Sequence, residues 1–329
     1  MNVVIDYFKN SFQFAAEAWN RFWFSETNPK LICGLRIVVG LIGIVWILSF
    51  SADRESWFSK NGLQQDDAVQ TIMESDLRVV TANEGFPFLE GASRWSVLRW
   101  GSTPNRLWMI HVFAVAVFVT FTLGLGTTVS GILAWGMAVS YIHRSPLLSG
   151  PFENVFTFAL LYLTITSSGR FWSVDFYWKK DSARPSHDVI RNSIGIRLLQ
   201  FHLSVVYLFS AFSKLGGDVW WQGEAVWWMI AQPERCLSDF TSMQQNLGDS
   251  FQLVMNVWTY AIILAELAMG SLVWFRRFRP LLVPFSCVIW LSLIPIAGNV
   301  GYCLLMAVLN VAFLDFSIKP KVTNDDNQT

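Results

Sequence analysis

Apolar residues gather in long blocks separated by short polar breaks, and the blocks are long enough for helices that cross a bilayer. A membrane core takes about 20 apolar residues in a helix. Candidate spans fall at 31–50, 105–124, 127–142, 152–169, 193–213, 253–275, 279–297 and 298–315. The first holds a single charge, Arg36. The last two form one apolar stretch, broken only by Pro295, Gly298 and Asn299. Residues 1–24 mix aromatic and charged side chains at helical spacing, so segment 1–30 reads as an amphipathic helix lying on the membrane. The pattern predicts an all-α, polytopic transmembrane bundle over 31–317. Segments 51–104 and 215–252 would cap its outer face, and 318–329 would form a polar tail.

Charge placement sets an orientation. Lys and Arg concentrate in cytoplasmic loops. Arg276, Arg277 and Arg279 crowd one connection, and Lys179, Lys180, Arg184 and Arg191 crowd another. The 215–252 segment carries one base, Arg235, against five acids. Eight spans with both termini cytoplasmic satisfy these biases together, which places the chain in the cell (inner) membrane with 215–252 outside.

Composition supports a lipid bilayer as the main partner. Hydrophobic residues make up 53% of the chain and charged ones 15%, where soluble domains carry about 25% charged residues. The formal net charge is zero, so no nucleic-acid partner is expected. Cys33, Cys287 and Cys303 lie in apolar runs and Cys236 in a polar one, with no CxxC. That leaves no disulfide pair and no metal site to predict.

Candidate chemistry concentrates in the fifth span. Ionisable groups inside a membrane are costly and mark functional candidates. At about 100° per residue, Gln200, Tyr207, Ser210 and Lys214 fall on one stripe of an otherwise apolar helix. The stripe can be a polar seam between helices, with Lys214 snorkelling to the interface. It can equally present a desolvated lysine that serves as a neutral base. Gly216 and Gly217 end the helix, and Trp220 and Trp221 follow closely enough to wall a flat pocket above Lys214. Glu266 is a lone acid inside the sixth span and needs a partner or a proton. Arg36 would snorkel or pair with Glu266 or Asp315. His143 and Arg144 stand at the outer end of the third span, His111 and His202 in apolar surroundings. HExxH, P-loop, GxGxxG and GxSxG motifs are absent.

Three segments together resemble the horizontally transferred transmembrane family, which includes the vitamin K-dependent gamma-carboxylases. They are LRIVVGLIGI at 35–44, the stretch from HRSPLLSGPFENVF at 143–156 to GRFWSVDFYW at 169–178, and VYLFSAFSKLGGDVWWQGEA at 206–225. Asn154 lies where the bacterial relatives carry a polar residue. The resemblance implies that Lys214 is the catalytic base acting on a reduced naphthoquinone. Oxygen and carbon dioxide would be co-substrates, and a glutamate of a secreted peptide would be carboxylated. The family's histidine before WSVD is matched here by Phe152, Glu153 and Asn154, and the carboxylases carry a large soluble domain after the membrane part. A second implied role is that of a non-enzymatic maturation or export accessory for a secreted peptide, like the bacterial member that matures a sporulation-delaying toxin. A small-solute transporter or redox partner is a third class, against which stands the crowding of polar groups into the outer half.

Overall fold

A computed structural model describes residues 2–25, 27–59, 62–63, 95–101, 103–145, 148–178, 186–232, 234, 236–248 and 250–314. Side chains are described from residue 10 and, in the helix that begins at 186, from residue 188. Among the described residues all regular structure is helical, with no strand. Helix α1 spans Asn2–Phe24, α2 Pro29–Ser49, α3 Arg54–Phe58, α4 Pro104–Leu123, α5 Thr127–Arg144, α6 Pro151–Ile165, α7 Val174–Trp178 and α8 Ser186–Leu215. Then follow α9 Asp218–Trp221, α10 Ala225–Ile230, α11 Thr241–Leu247, α12 Ser250–Ser271, α13 Arg279–Ala297 and α14 Val300–Asn310.

Five helical segments are long and apolar enough to cross a membrane: Pro29–Ser49, Pro104–Leu123, Asp188–Leu215, Ser250–Trp274 and Arg279–Ala297. Local sequence explains their ends. Pro29 and Pro104 occupy first turns, where a missing N–H costs nothing, and Asn28 and Thr103 accept from the amides of Lys30 and Arg106. Between α13 and α14, Gly298 takes φ 62° and the Asn299 side chain accepts from Tyr302 N. The long final apolar stretch therefore breaks at Gly298 and Asn299, while Pro295, named with them above, lies inside α13. The expected fourth and eighth spans come out shorter. Helix α6 stops at Ile165 and α14 runs on only as a 3-10 turn to Leu314. The expected fifth span is longer and starts at Ser186.

Helices adjacent in sequence pack against each other around a ring, α2–α4–α5–α6–α8–α12–α13–α14, and α14 closes it on α2 and α6. Close approach at the α2–α4 contact depends on Gly40, where an added Cβ would overlap the Thr122 side chain. Small residues at such crossings let backbones meet without a cavity. Helix α1 is tethered at its C-terminal end. Arg197 of α8 donates to Phe22 O at 3.2 Å, and its guanidinium lies 5.1 Å from the Phe22 ring centroid. Of the expected outer cap 51–104, α3 and the 3-10 turn Val97–Trp100 are described. Residues 64–94, the basic positions 179, 180 and 184, and the tail lie outside the described residues.

The turn after α6 is a hub. Arg36, fully buried in α2, donates to Ser168 O and Trp172 O at 2.6 Å each. These carbonyls, and not Glu266, are its described partners; position 315, the other expected partner, lies outside the described residues. Peptide oxygens of an irregular turn lack helical partners, so a guanidinium satisfies them efficiently. Trp172 is the only described non-glycine residue at positive φ, 48°, and its carbonyl is one of the two that Arg36 holds. Asp175 ends the same WSVD stretch. Its carboxylate accepts from Gly126 N at 3.0 Å and Thr127 N at 3.2 Å, capping α5. The extra turns at the start of α8 close the hub from below: Asp188 bonds Arg170 at 2.6 Å and Ser167 at 2.8 Å, and Asn192 accepts from Ser167 N at 2.7 Å. Replacing Asp175 by Ala removes both acceptors from the start of α5. It is expected to cost about 1 kcal/mol, read as a lowered detergent melting temperature, with Asp175→Asn losing less.

Candidate functional site

The C-terminal end of α8 brings an ammonium, a carboxylate and a hydroxyl together. Lys214 Nζ donates to both carboxylate oxygens of Glu266, at 2.8 Å each, and to Ser210 Oγ at 2.6 Å. The Ser210 hydroxyl donates in turn to Glu266 Oε1 at 3.1 Å. An ammonium has three protons, and here each has an acceptor. Glu266 is 2% exposed, while the Lys214 side chain keeps 19% of its surface accessible. Glu266 thus finds the partner its burial demands, on the neighbouring helix. Lys214 is an ion-pair partner rather than an isolated amine in an apolar pocket.

The segment after α8 folds back over this pair. Gly216 N bonds Phe212 O at 3.1 Å and Gly217 N bonds Lys214 O at 3.0 Å, which ends the helix as the two glycines predict. Helix α9 then places the Trp220 ring centroid 5.2 Å from Lys214 Nζ, a cation–π distance. Trp221 departs from expectation. Its ring is 62% exposed, its Nε1 donates to Leu215 O, and its carbonyl accepts from Tyr260 OH at 2.7 Å. It pins α9 to α12 and does not wall the lysine. Side chains at i and i+1 point about 100° apart on a helix, so only one of the two can face Lys214.

The lower part of the stripe is structural. Gln200 is fully buried, donates to Ala312 O at 2.7 Å and accepts from Arg197 at 2.8 Å. Tyr207 OH donates to Asn310 Oδ1 at 2.7 Å and accepts from Trp290 Nε1 at 2.8 Å, and Asn310 Nδ2 donates to Ser286 Oγ at 3.0 Å. These bonds hold α8 to α13 and α14. Polar groups therefore continue along α8 beyond the Lys214 end. Asn310, Ser286 and Trp290 went unmarked in the sequence. The only signal for them was an amide and a hydroxyl inside otherwise apolar runs.

The remaining candidates are engaged elsewhere. His143 bonds Trp95 O at 2.9 Å. Arg144, 2% exposed, donates to Phe58 O at 3.1 Å and Ser59 O at 2.7 Å, so it ties α5 to the turn after α3. Asn154 is exposed on α6, and its carbonyl accepts from Thr157 Oγ1 at 2.9 Å. None of the three has a bond to Lys214 or Glu266. His111 sits between Ser51 at 2.9 Å and Tyr141 at 2.8 Å, a satisfied core histidine. His202 is half-buried, bonded to Tyr162 at 2.9 Å and stacked on Phe158. All four cysteines are free. Among the described residues no three His, Cys, Asp or Glu side chains gather as metal ligands would.

Compared with protein-family models, with curated proteins and with solved structures, the chain matches none of them. The site is therefore judged on its own geometry.

That geometry makes a stability prediction. Removing one partner of a buried pair leaves the other either charged without a cation or forced to take up a proton, at about 3–5 kcal/mol. Lys214→Met alone is expected to lose that much in a detergent denaturation series. The double variant Lys214→Met/Glu266→Gln should recover most of it, because an amide at 266 needs neither a cation nor a proton.

Proposed function

We propose that this chain is an integral membrane enzyme in which Lys214, set by Glu266 and Ser210, takes a proton from an acidic ring hydroxyl of a lipid-soluble quinol. The observation that carries the reading is the ion pair itself: a carboxylate 2% exposed, holding through two 2.8 Å bonds an amine that keeps one accessible edge beside an indole face. Carboxylate–amine pairs in partly enclosed places are a recurrent form of acid–base site.

The residues fit such a ligand. Trp220 offers a flat face, the Lys214 edge offers the proton acceptor, and Ser210 offers a hydroxyl for orientation. A reduced naphthoquinone bound there would supply the acidic hydroxyl and the reducing power, with oxygen and carbon dioxide as co-substrates and a glutamate of a secreted peptide as acceptor. For Lys214 to act as a base it must first pass a proton to Glu266 along a 2.8 Å bond. That transfer turns an ion pair into a neutral amine beside a neutral acid. It leaves the net charge unchanged and removes two charges from a poorly solvated place, which offsets part of the cost of giving up the ion pair. Nζ then has a lone pair, and Ser210 holds its orientation.

This reading places the chain in the horizontally transferred transmembrane family, with eight passes in the inner membrane, both termini cytoplasmic and Lys214 toward the periplasmic face. A second reading, a non-enzymatic maturation or export accessory for a secreted peptide, draws support from one feature. All three ammonium protons are matched, as in a purely structural pin.

The deciding experiment incubates purified protein with reduced naphthoquinone and oxygen and measures the quinone epoxide by chromatography and mass. The parent protein should form epoxide. The charge-free pair Lys214→Met/Glu266→Gln, which should stay folded, is expected to form it about 100-fold or more slowly. No epoxide from folded parent protein, across several quinols, would favour the accessory role.

A further inference from the structure

Two half-buried side chains meet where α6 packs on α8: Tyr162 OH and His202 Nδ1 are 2.9 Å apart. His202 lies at the middle of the Asp188–Leu215 segment, one of those able to cross a membrane. Its ring stacks on Phe158, with centroids 3.7 Å apart and planes 17° from parallel. Neither Tyr162 nor His202 makes a further side-chain hydrogen bond among the described residues, and His202 Nε2 is not sealed off from the surface. None of these residues bonds to Lys214 or Glu266.

A phenol and a neutral imidazole joined by one bond keep one donor and one acceptor between them. If the phenol donates to Nδ1, then Nε2–H and a phenol lone pair remain. If Nδ1–H donates, the phenol O–H and the Nε2 lone pair remain. The count is the same for both tautomers. At mid-depth the lipid has no partner for either group. Hydrocarbon offers none, and a core about 30 Å thick puts the head groups about 15 Å away.

The surface around the pair is patterned. Asn154, Phe158 and Tyr162, at intervals of four, form one stripe on α6, and His202 and Phe209, seven apart, form one on α8. The α6–α8 bonds run from Ser167–Asn192 to Tyr162–His202, an antiparallel register. Asn154 and Phe209 therefore both lie from the pair toward the Lys214 end. Asn154 is exposed, and Phe209 is 74% exposed.

We propose that this face joins two copies of the chain about a twofold axis along the membrane normal. Copies inserted in the same orientation present equal depths to each other, so the His202–Tyr162 pair of one meets that of the other. The unused donor of each copy then meets the unused acceptor of its neighbour, which makes two hydrogen bonds across the axis. This self-complementarity selects the occupant, because a second copy carries the matching donor and acceptor at the required depth. Phe209 of each copy adds apolar packing beside the bonds.

The test reconstitutes the chain in liposomes, labelled at its C-terminus with donor or acceptor fluorophores, and follows energy transfer as added lipid dilutes the protein. The parent is expected to show transfer above that of randomly placed chains and to lose it on dilution as a dimer does. Tyr162→Phe keeps the ring and its packing but removes the hydroxyl. It should raise the dissociation constant about tenfold, and His202→Leu should do the same. His202→Gln, which keeps a donor and an acceptor, should associate more tightly than His202→Leu. Random-level transfer in the parent at every dilution would overturn the proposal. So would an unchanged dissociation constant in Tyr162→Phe, which decides alone if His202→Leu fails to fold.

Discussion

A carboxylate inside a helical bundle has three fates: it is neutralised, it is matched by a cation, or it expels the helix that carries it. Glu266 is matched, and much of that end of the bundle is arranged around the match. Lys214 comes from the last turn of α8, so α8 and α12 must meet in one register for the bonds to form. Ser210, one helical turn before Lys214, closes the triangle. The glycines that follow bring α9 back over the pair, and Tyr260 of the same helix as Glu266 holds α9 in place. Coulomb attraction in a low dielectric is strong at this distance. The matched protons matter as much, since any bond left unmade there would cost the full desolvation of its group.

The same rule governs the rest of the interior. Without a hydrophobic drive between helices in lipid, packing and interhelical hydrogen bonds do the joining. Tyr207, Asn310, Trp290 and Ser286 form one such joint, and Arg36 with the turn at 168–172 forms another. The joints differ in what they leave open. Those at Tyr207 and Arg36 are sealed, whereas Lys214 keeps an accessible edge. That contrast is why the proposed chemistry is set at the Lys214–Glu266 pair and not at the sealed networks.

The helical class was legible in the sequence because blocks of about 20 apolar residues admit few other structures. The break at Gly298 and Asn299 was legible too, since one residue takes a left-handed turn and the other caps the next helix. The start of α8 was not. Its first turns, with Asp188, Arg191 and Asn192, are polar and look like loop, yet they are helical because the 165–170 turn uses their side chains. Periodicity put Gln200, Tyr207, Ser210 and Lys214 on one face correctly, but a face does not name its partner. Glu266 lies 52 residues from Lys214, a distance no helical spacing reports. The same blindness paired Arg36 with acids when its described partners are carbonyls, and set Trp221 over Lys214 when its ring bonds Leu215 instead.

The central claim is that Glu266 is held as a carboxylate by Lys214. Infrared difference spectra of the protein in lipid test it most directly, with Glu266→Gln used to assign the bands of that side chain. The account predicts a carboxylate stretch from Glu266 in the parent protein. In Lys214→Met that stretch should give way to a protonated carbonyl band, since a buried carboxylate without its cation takes up a proton. A Glu266 carboxylate band unchanged by Lys214→Met would contradict the account, because Glu266 would then be satisfied without the lysine.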